Sequence, residues 1–205
     1  MIKNNFINTV RSISFNKRRN KSLKINNKDT LPSIWLFTDS IKTINPVKLT
    51  KNLPAKSGVV IRHYKSKNKE AIIRDILNIK KRKTLTVLIS GEYKRNLNVD
   101  GNHFPQWANN NNKQNKITSL SVHSARDIRK SINIKADLVF ISPVFPSTSH
   151  KGNQHLGVIK LGLLARLFKK NIIALGGINN KNIARLRSLP ISGCAGIDVF
   201  TEYLW

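Results

Sequence analysis

ADLVFISPVFPSTSHKGNQHLG, residues 136–157, is the stretch on which the reading of this chain turns. Residues 138–144 form a short apolar run of the length of a buried strand. Pro143 and Pro146 break it, and a polar loop follows with Ser147, Thr148, Ser149, His150 and Lys151. Hydroxyls, an imidazole and an ammonium gathered after a buried strand suit an anionic ligand. One helical pattern later comes IIALGGIN, residues 172–179, another buried run that ends in Gly176-Gly177. With no side chains in the way, backbone N–H groups there can approach a phosphate. Taken alone, the first stretch also has a plainer reading, an ordinary strand and surface loop. The two occur together at βαβ spacing, which points to a parallel sheet.

The same alternation extends outward from residue 32. Strands are predicted at 34–37, 58–61, 85–89, 99–104, 117–123, 138–141, 172–175 and 196–200. Helical patterns cover about 67–81, the segment after Ser124, 158–168 and 180–189, while 106–116 is an Asn-rich loop in place of a helix. Eight strands with mostly helical crossovers predict an α/β fold of the (β/α)8 TIM-barrel type over residues 32–205, near the lower length limit for that fold. Residues 1–31 read as a basic leader, loosely ordered or helical and loosely attached. Ile2, Phe6, Ile7 and Val10 share one side, and KRRNK follows. The leader lacks the long apolar region of a secretory signal, but an organelle transit peptide shares its composition.

The apolar fraction of 40% is that of a globular chain, and no run of about 18 apolar residues is present to span a membrane. A single cysteine, Cys194, excludes an internal disulfide and any multi-cysteine metal site. Its apolar surroundings predict a buried thiol, and a cytoplasmic location is expected. The net charge of +27 raises nucleic acid as a partner. The lysines, however, are spread with Asn and Ile through loops and helix faces alike. They form no aromatic-interleaved stripe of the kind that single-strand binders use. The charge reads as compositional, and nucleic acid is not the expected partner.

In such a barrel, chemistry belongs at the C-terminal ends of the strands. His63, His103, His123, His150 and His155 all fall at a predicted strand end or in the loop after it. On the fifth strand Ser119, Ser121 and His123 share one parity, and Leu120 and Val122 the other. The helix-facing side must be apolar, so the polar parity faces the lumen and His123 sits at its mouth. An imidazole there can shuttle protons near neutral pH. Arg62, at the end of the second strand, suits bidentate phosphate binding. The acids near strand ends, Asp39, Glu92, Asp100 and Asp198, make no convincing metal pair.

The words WLFTD, VDGNHFPQ, SVHS, ADLVFISPVFPSTS, Leu156-Gly157, IALGGIN and GCAGIDVF, in this order and spacing, resemble the thiamine-phosphate synthase/TenI family over about residues 32–200. The resemblance implies a small barrel of thiamine biosynthesis. Synthase members join a pyrimidine diphosphate to a thiazole phosphate, releasing pyrophosphate, with Mg2+. It matches the hydroxyl pair after the sixth strand to Ser147 and Ser149, with His150 and Lys151 in the place of the following lysine. It also matches the glycine before the thiazole phosphate to Gly177, the fifth-strand serine to Ser121 and the second-strand arginine to Arg62. We expect the phosphate on Gly176, Gly177 and the Phe200-Thr201 backbone. This chain departs from the pattern at Val60 and Tyr64, in place of Gln and Lys. It departs again at Ser90-Gly91 and Ala108, where the metal carboxylates would stand. No Mg2+ ligand set is therefore expected. TenI-type members are metal-independent thiazole tautomerases with a histidine in Ser-x-His-Ser, matching Ser121, His123 and Ser124. Three activities stay open: a divergent synthase, a tautomerase using His123, and a non-catalytic ligand-binding or regulatory barrel.

Overall fold

Near-continuous apolar runs such as IWLFTD, SGVVIR and LTVLIS cannot present a wet face, so each must be covered on both sides. A closed barrel achieves this. The computed structural model describes residues 5–20, 31–39, 43, 45–62, 68–90, 97–106, 116–147 and 155–201. Its strands are β1 (Ile34–Asp39), β2 (Ser57–Arg62), β3 (Leu85–Ser90), β4 (Gly101–Phe104), β5 (Ile117–Val122), β6 (Leu138–Ile141), β7 (Asn171–Leu175) and β8 (Gly193–Gly196). They pair in parallel in sequence order, and β8 closes on β1. Around them lie α1 (Asn5–Asn20), α2 (Pro46–Asn52), α3 (Lys69–Arg82), α4 (Ala125–Asn133), α5 (Gly157–Leu167) and the single turn α6 (Asp198–Thr201).

Side chains alternate between two cores. Trp35, Phe37, Val60, Leu88, Leu138, Phe140, Ile173 and Ala195 fill the lumen. Their neighbours Leu36, Val59, Ile61, Val87, Ile89, Val139 and Ile141 pack outward under the helices. Trp35 and Phe37 both meet Phe140 edge to face, with centroids 5.4 and 4.8 Å apart. A Cβ on Gly58 would run into the Trp35 indole, so a glycine makes room for that ring.

The lower face, at the strands' N-terminal ends, is tied by two carboxylates. Asp100 accepts the Val87 N–H and the Lys80 ammonium, each at 2.7 Å. Asp137 accepts the Thr118 N–H at 3.0 Å and Lys170 at 3.2 Å. Conserving strand register is a stabilising job, and it places Asp100 at the end of the barrel away from the chemistry.

Four elements differ from the sequence expectation, the first being α2, where no helix was expected. The eighth strand is the small-residue run Gly193–Gly196, and 198–201 is a turn of helix. IDVF imitates a strand, but Ala195 is the residue that faces the lumen beside Trp35. The helix expected over 180–189 is a 3-10 turn, Ile183–Leu186. Asn179 Oδ1 accepts the N–H groups of Lys181 and Asn182, and Asn182 Oδ1 accepts that of Asn179. Side chains that bond nearby backbone in this way compete with helical pairing. Finally, α1 is packed rather than loose. Phe6, Val10 and Ile13, spaced i, i+4, i+7, are fully buried in the outer core, and the Phe6 ring meets Phe200 edge to face at 5.9 Å.

Candidate functional site

The strand tops enclose a cavity of about 560 Å3. Its wall takes Phe37 and Asp39 from β1, Arg62 from β2, His103 from β4, and Ser121 and His123 from the end of β5. The loops after β6, β7 and β8 complete it with Ser142, Pro143, Ser147, Gly176, Gly177 and residues 196–199.

The β7 end is shaped by the chain leaving β6. Val144 donates to Leu175 O and Phe145 to Gly176 O, each at 3.0 Å, so that chain lies directly on the two glycines. A Cβ on Gly176 would stand 2.9 Å from Pro143 Cα, and one on Gly177 would strike the Phe145 and Pro146 carbonyls. Both glycines also have positive φ, 94° and 67°. Among the described residues, no acceptor takes the N–H of Gly177 or Ile178. Asn182 holds the Gly177 carbonyl from behind at 2.8 Å.

Across the mouth, Arg62 Nη2 lies 2.7 Å from Asp39 Oδ2, and its guanidinium stands 5.9 Å over the Phe37 ring. β5 carries the polar parity as read from sequence. Ser119 and Ser121 point into the lumen, and Leu120 and Val122 join the outer core. His123 continues that row. Its N–H is held by Asp127 Oδ2 at 2.9 Å, and its Nδ1 lies 2.6 Å from the Ser142 carbonyl. A carbonyl only accepts, so Nδ1 carries a proton, and in the neutral ring Nε2 is the nitrogen without one.

Sequence reasoning set His103 at a strand end with the other histidines but gave it no role. It is 2% exposed, and both ring nitrogens are bonded, Nδ1 to Ser119 Oγ and Nε2 to Ser121 Oγ, each at 3.0 Å. Burial pushes its pKa down to about 3, with the Arg62 charge adding to the effect, so the ring is neutral. The signal was available: β4 reads GNHF, and the parity that sets Gly101 beside Ile117 sets His103 beside Ser119, on the lumen side.

Of the sequence-predicted residues, the cavity gathers Arg62, Ser121, His123, Ser147, Gly176 and Gly177. Ser149, His150 and Lys151 lie outside the described residues, as do His63, Tyr64, Glu92, Gly91 and Ala108. Phe200 turns away from the cavity. Its ring is on Phe6 and its N–H on Ile197 O at 3.2 Å, and residues 196–199 line the wall where Phe200 and Thr201 were expected. His155 is exposed and not in the wall. Cys194 is buried, which pushes its thiol up to about 12.

The donor set does not fit a divalent cation among the described residues. No three of His, Cys, Asp and Glu converge there. Asp39 is engaged by Arg62, and Asp127 already accepts from Ser124, Gln106 and the His123 backbone. No helix of the described residues is long and apolar enough to cross a membrane.

A model of the family "Thiamine monophosphate synthase" matches residues 48–200. The chain is 34% identical over 80 residues to the thiamine-phosphate synthase of Prochlorococcus marinus subsp. pastoris, a match covering 39% of this chain and 23% of that relative's length. It is 25% identical over 164 residues to the thiamine-phosphate synthase of Lactococcus lactis subsp. cremoris, covering 72% of this chain and 75% of the relative. Among solved structures, thiamine phosphate pyrophosphorylase from Pyrococcus furiosus superposes with a TM-score of 0.66 at 16% identity, over 86% of this chain and 93% of that one. At that identity the likeness establishes the fold.

Proposed function

Because the chain belongs to the thiamine monophosphate synthase family, we propose that it acts in thiamine biosynthesis as a divergent thiamine-phosphate synthase-like transferase. It holds a thiazole phosphate in the cavity at the strand ends and condenses it with a pyrimidine diphosphate, releasing pyrophosphate. A cytoplasmic location goes with this reading. The observation that carries it is the pair Gly176-Gly177 in the wall of a cavity that Arg62 also lines, where the N–H groups of Gly177 and Ile178 meet no acceptor among the described residues.

In this scheme the thiazole phosphate sits at the β7 and β8 ends, the usual phosphate site of such barrels. Ser147 adds a hydroxyl from the β6 loop. Arg62 receives the diphosphate and, as the leaving group gains charge, stabilises it. Asp39 keeps the guanidinium aimed while no anion is present. No step is routed through a metal ion, because the described residues do not fit one.

His123 supports a second reading, a metal-independent tautomerase of the TenI type. Its Nδ1 proton is committed to Ser142, which leaves Nε2 to take a proton from a bound thiazole and return it at another atom. One assay separates the readings: product formation from thiazole phosphate with and without the pyrimidine diphosphate, each with Mg2+ or with chelator. Thiamine phosphate and pyrophosphate formed together support the transferase. Thiazole isomerisation that needs neither the second substrate nor metal supports the tautomerase. Phosphate-ligand binding with neither product leaves the non-catalytic barrel.

A further inference from the structure

The polar wall of β4 and β5 has a direction set by which groups can only accept. The Asn102 carbonyl is one, so the Ser119 hydroxyl 3.2 Å away donates its single proton there. Ser119 then offers His103 Nδ1 only lone pairs, and Nδ1 must carry the ring proton. The neutral ring has its second nitrogen bare, so Ser121 donates its proton to Nε2. The reverse direction turns Ser119 lone pairs toward the Asn102 oxygen and forms one hydrogen bond fewer, which disfavours it. Phe37 and Phe140 pack on the His103 ring edge to face at 5.2 and 5.3 Å. Ser121 lines the cavity with its proton already committed inward.

We propose that His103 is a positioning residue that fixes Ser121 as a hydrogen-bond acceptor, so that the end of β5 takes an amine or ring N–H of the ligand and disfavours a phosphate oxygen. This rests on the cavity being the substrate site, and it orients the substrate in it. The thiazole phosphate keeps its anionic end at Gly177, and the donor-bearing heterocycle of the second substrate, whose diphosphate is on Arg62, goes to Ser121. A serine with a free proton would serve either partner; this one is dedicated to donors.

Long-range 15N–1H NMR of the His103 ring in the full chain reads the direction without any ligand. The Nδ1–H pattern is expected, and an Nε2–H pattern overturns the proposal. Calorimetry with 4-aminopyrimidine and, separately, inorganic pyrophosphate reads the consequence. Ser121→Ala lowers 4-aminopyrimidine affinity about tenfold, the worth of one hydrogen bond, and leaves pyrophosphate within twofold. His103→Phe keeps a ring between the two phenylalanines and frees the Ser121 proton. The ratio of 4-aminopyrimidine to pyrophosphate affinity then falls about tenfold. An unchanged ratio, a pyrophosphate loss in Ser121→Ala, or no 4-aminopyrimidine binding by the parent overturns the proposal. An Nδ1–H ring and 4-aminopyrimidine binding without any thiazole phosphate binding support the relay and remove the thiazole-phosphate reading instead.

Discussion

His123 donates its Nδ1 proton to the carbonyl oxygen of Ser142, 2.6 Å away, tying the end of β5 to the residue that follows β6. Ser124 caps α4 by accepting the Asp127 N–H, and Asp127 returns a carboxylate to the His123 backbone. The imidazole is therefore held from both sides with one nitrogen bare, as proton transfer at a bound ligand requires.

If thiazole tautomerisation is the activity, His123→Ala lowers its rate about 10²–10⁴-fold, the usual contribution of general acid–base catalysis. Thiazole phosphate affinity stays within a few-fold. Single-turnover kinetics and calorimetry on the same variant check both halves. A rate equal to the parent's would remove His123 from the chemistry.

The Arg62–Asp39 pair is partly exposed, at 30% and 20%, so its own stabilising worth is small, roughly 0–1 kcal/mol. Its effect should appear in binding. Asp39→Asn releases the guanidinium and tightens pyrophosphate binding a few-fold, whereas Arg62→Ala weakens it. Both are read by titration at fixed ionic strength, and equal weakening in the two variants would contradict the assignment.

Gly177→Ala meets two obstacles, a φ of 67° and the carbonyls of Phe145 and Pro146. A side chain in that conformation costs about 1–3 kcal/mol before the clash is counted. The variant should lose at least that much in urea unfolding and bind inorganic phosphate more weakly. Parental stability and binding would show that the β6 loop does not press on this residue.

His103 gives the protein an acid sensitivity. Its folded pKa is about 3, and in the unfolded chain it returns to about 6.5. Between those values the unfolded state binds a proton that the folded state refuses, so stability falls as pH drops through that window. The slope from this one group is at most about 1.4 kcal/mol per pH unit. Urea unfolding between pH 7 and 5 should show a shallower slope in His103→Phe than in the parent. Parallel slopes would mean the ring is not held neutral.

Phe6→Ala should destabilise by roughly 3–5 kcal/mol, as a fully buried phenylalanine does. Thermal unfolding checks it. A change near zero would restore the view of the N-terminal segment as a loose leader.

Much of this molecule was legible as local pattern. Apolar runs of strand length, the parity of Ser119, Ser121 and His123, and the glycine pair after IIAL are properties of neighbouring residues, which alternation and backbone freedom expose directly. The breakdown came where local pattern and tertiary need disagreed. IDVF looks more like a strand than GCAG does, yet only small residues pack beside Trp35 at the closing seam of the barrel. NNKNIARL carries helical spacing, yet Asn179 and Asn182 tie the backbone into a turn.

The sequence by itself determined a (β/α)8 barrel and the set of strand ends at which ligand chemistry gathers. It did so because side-chain period and glycine placement are short-range constraints. The tertiary structure alone decided that His103 is wired between Ser119 and Ser121, that Asp39 holds Arg62, and that Phe6 seals the outer wall against Phe200. Those partners are 16, 18 and 23 residues apart in the first three cases, and the last pair joins opposite ends of the chain. Hydrogen bonds and ring contacts act over a few ångströms, and only the closed barrel register brings such distant residues within that range.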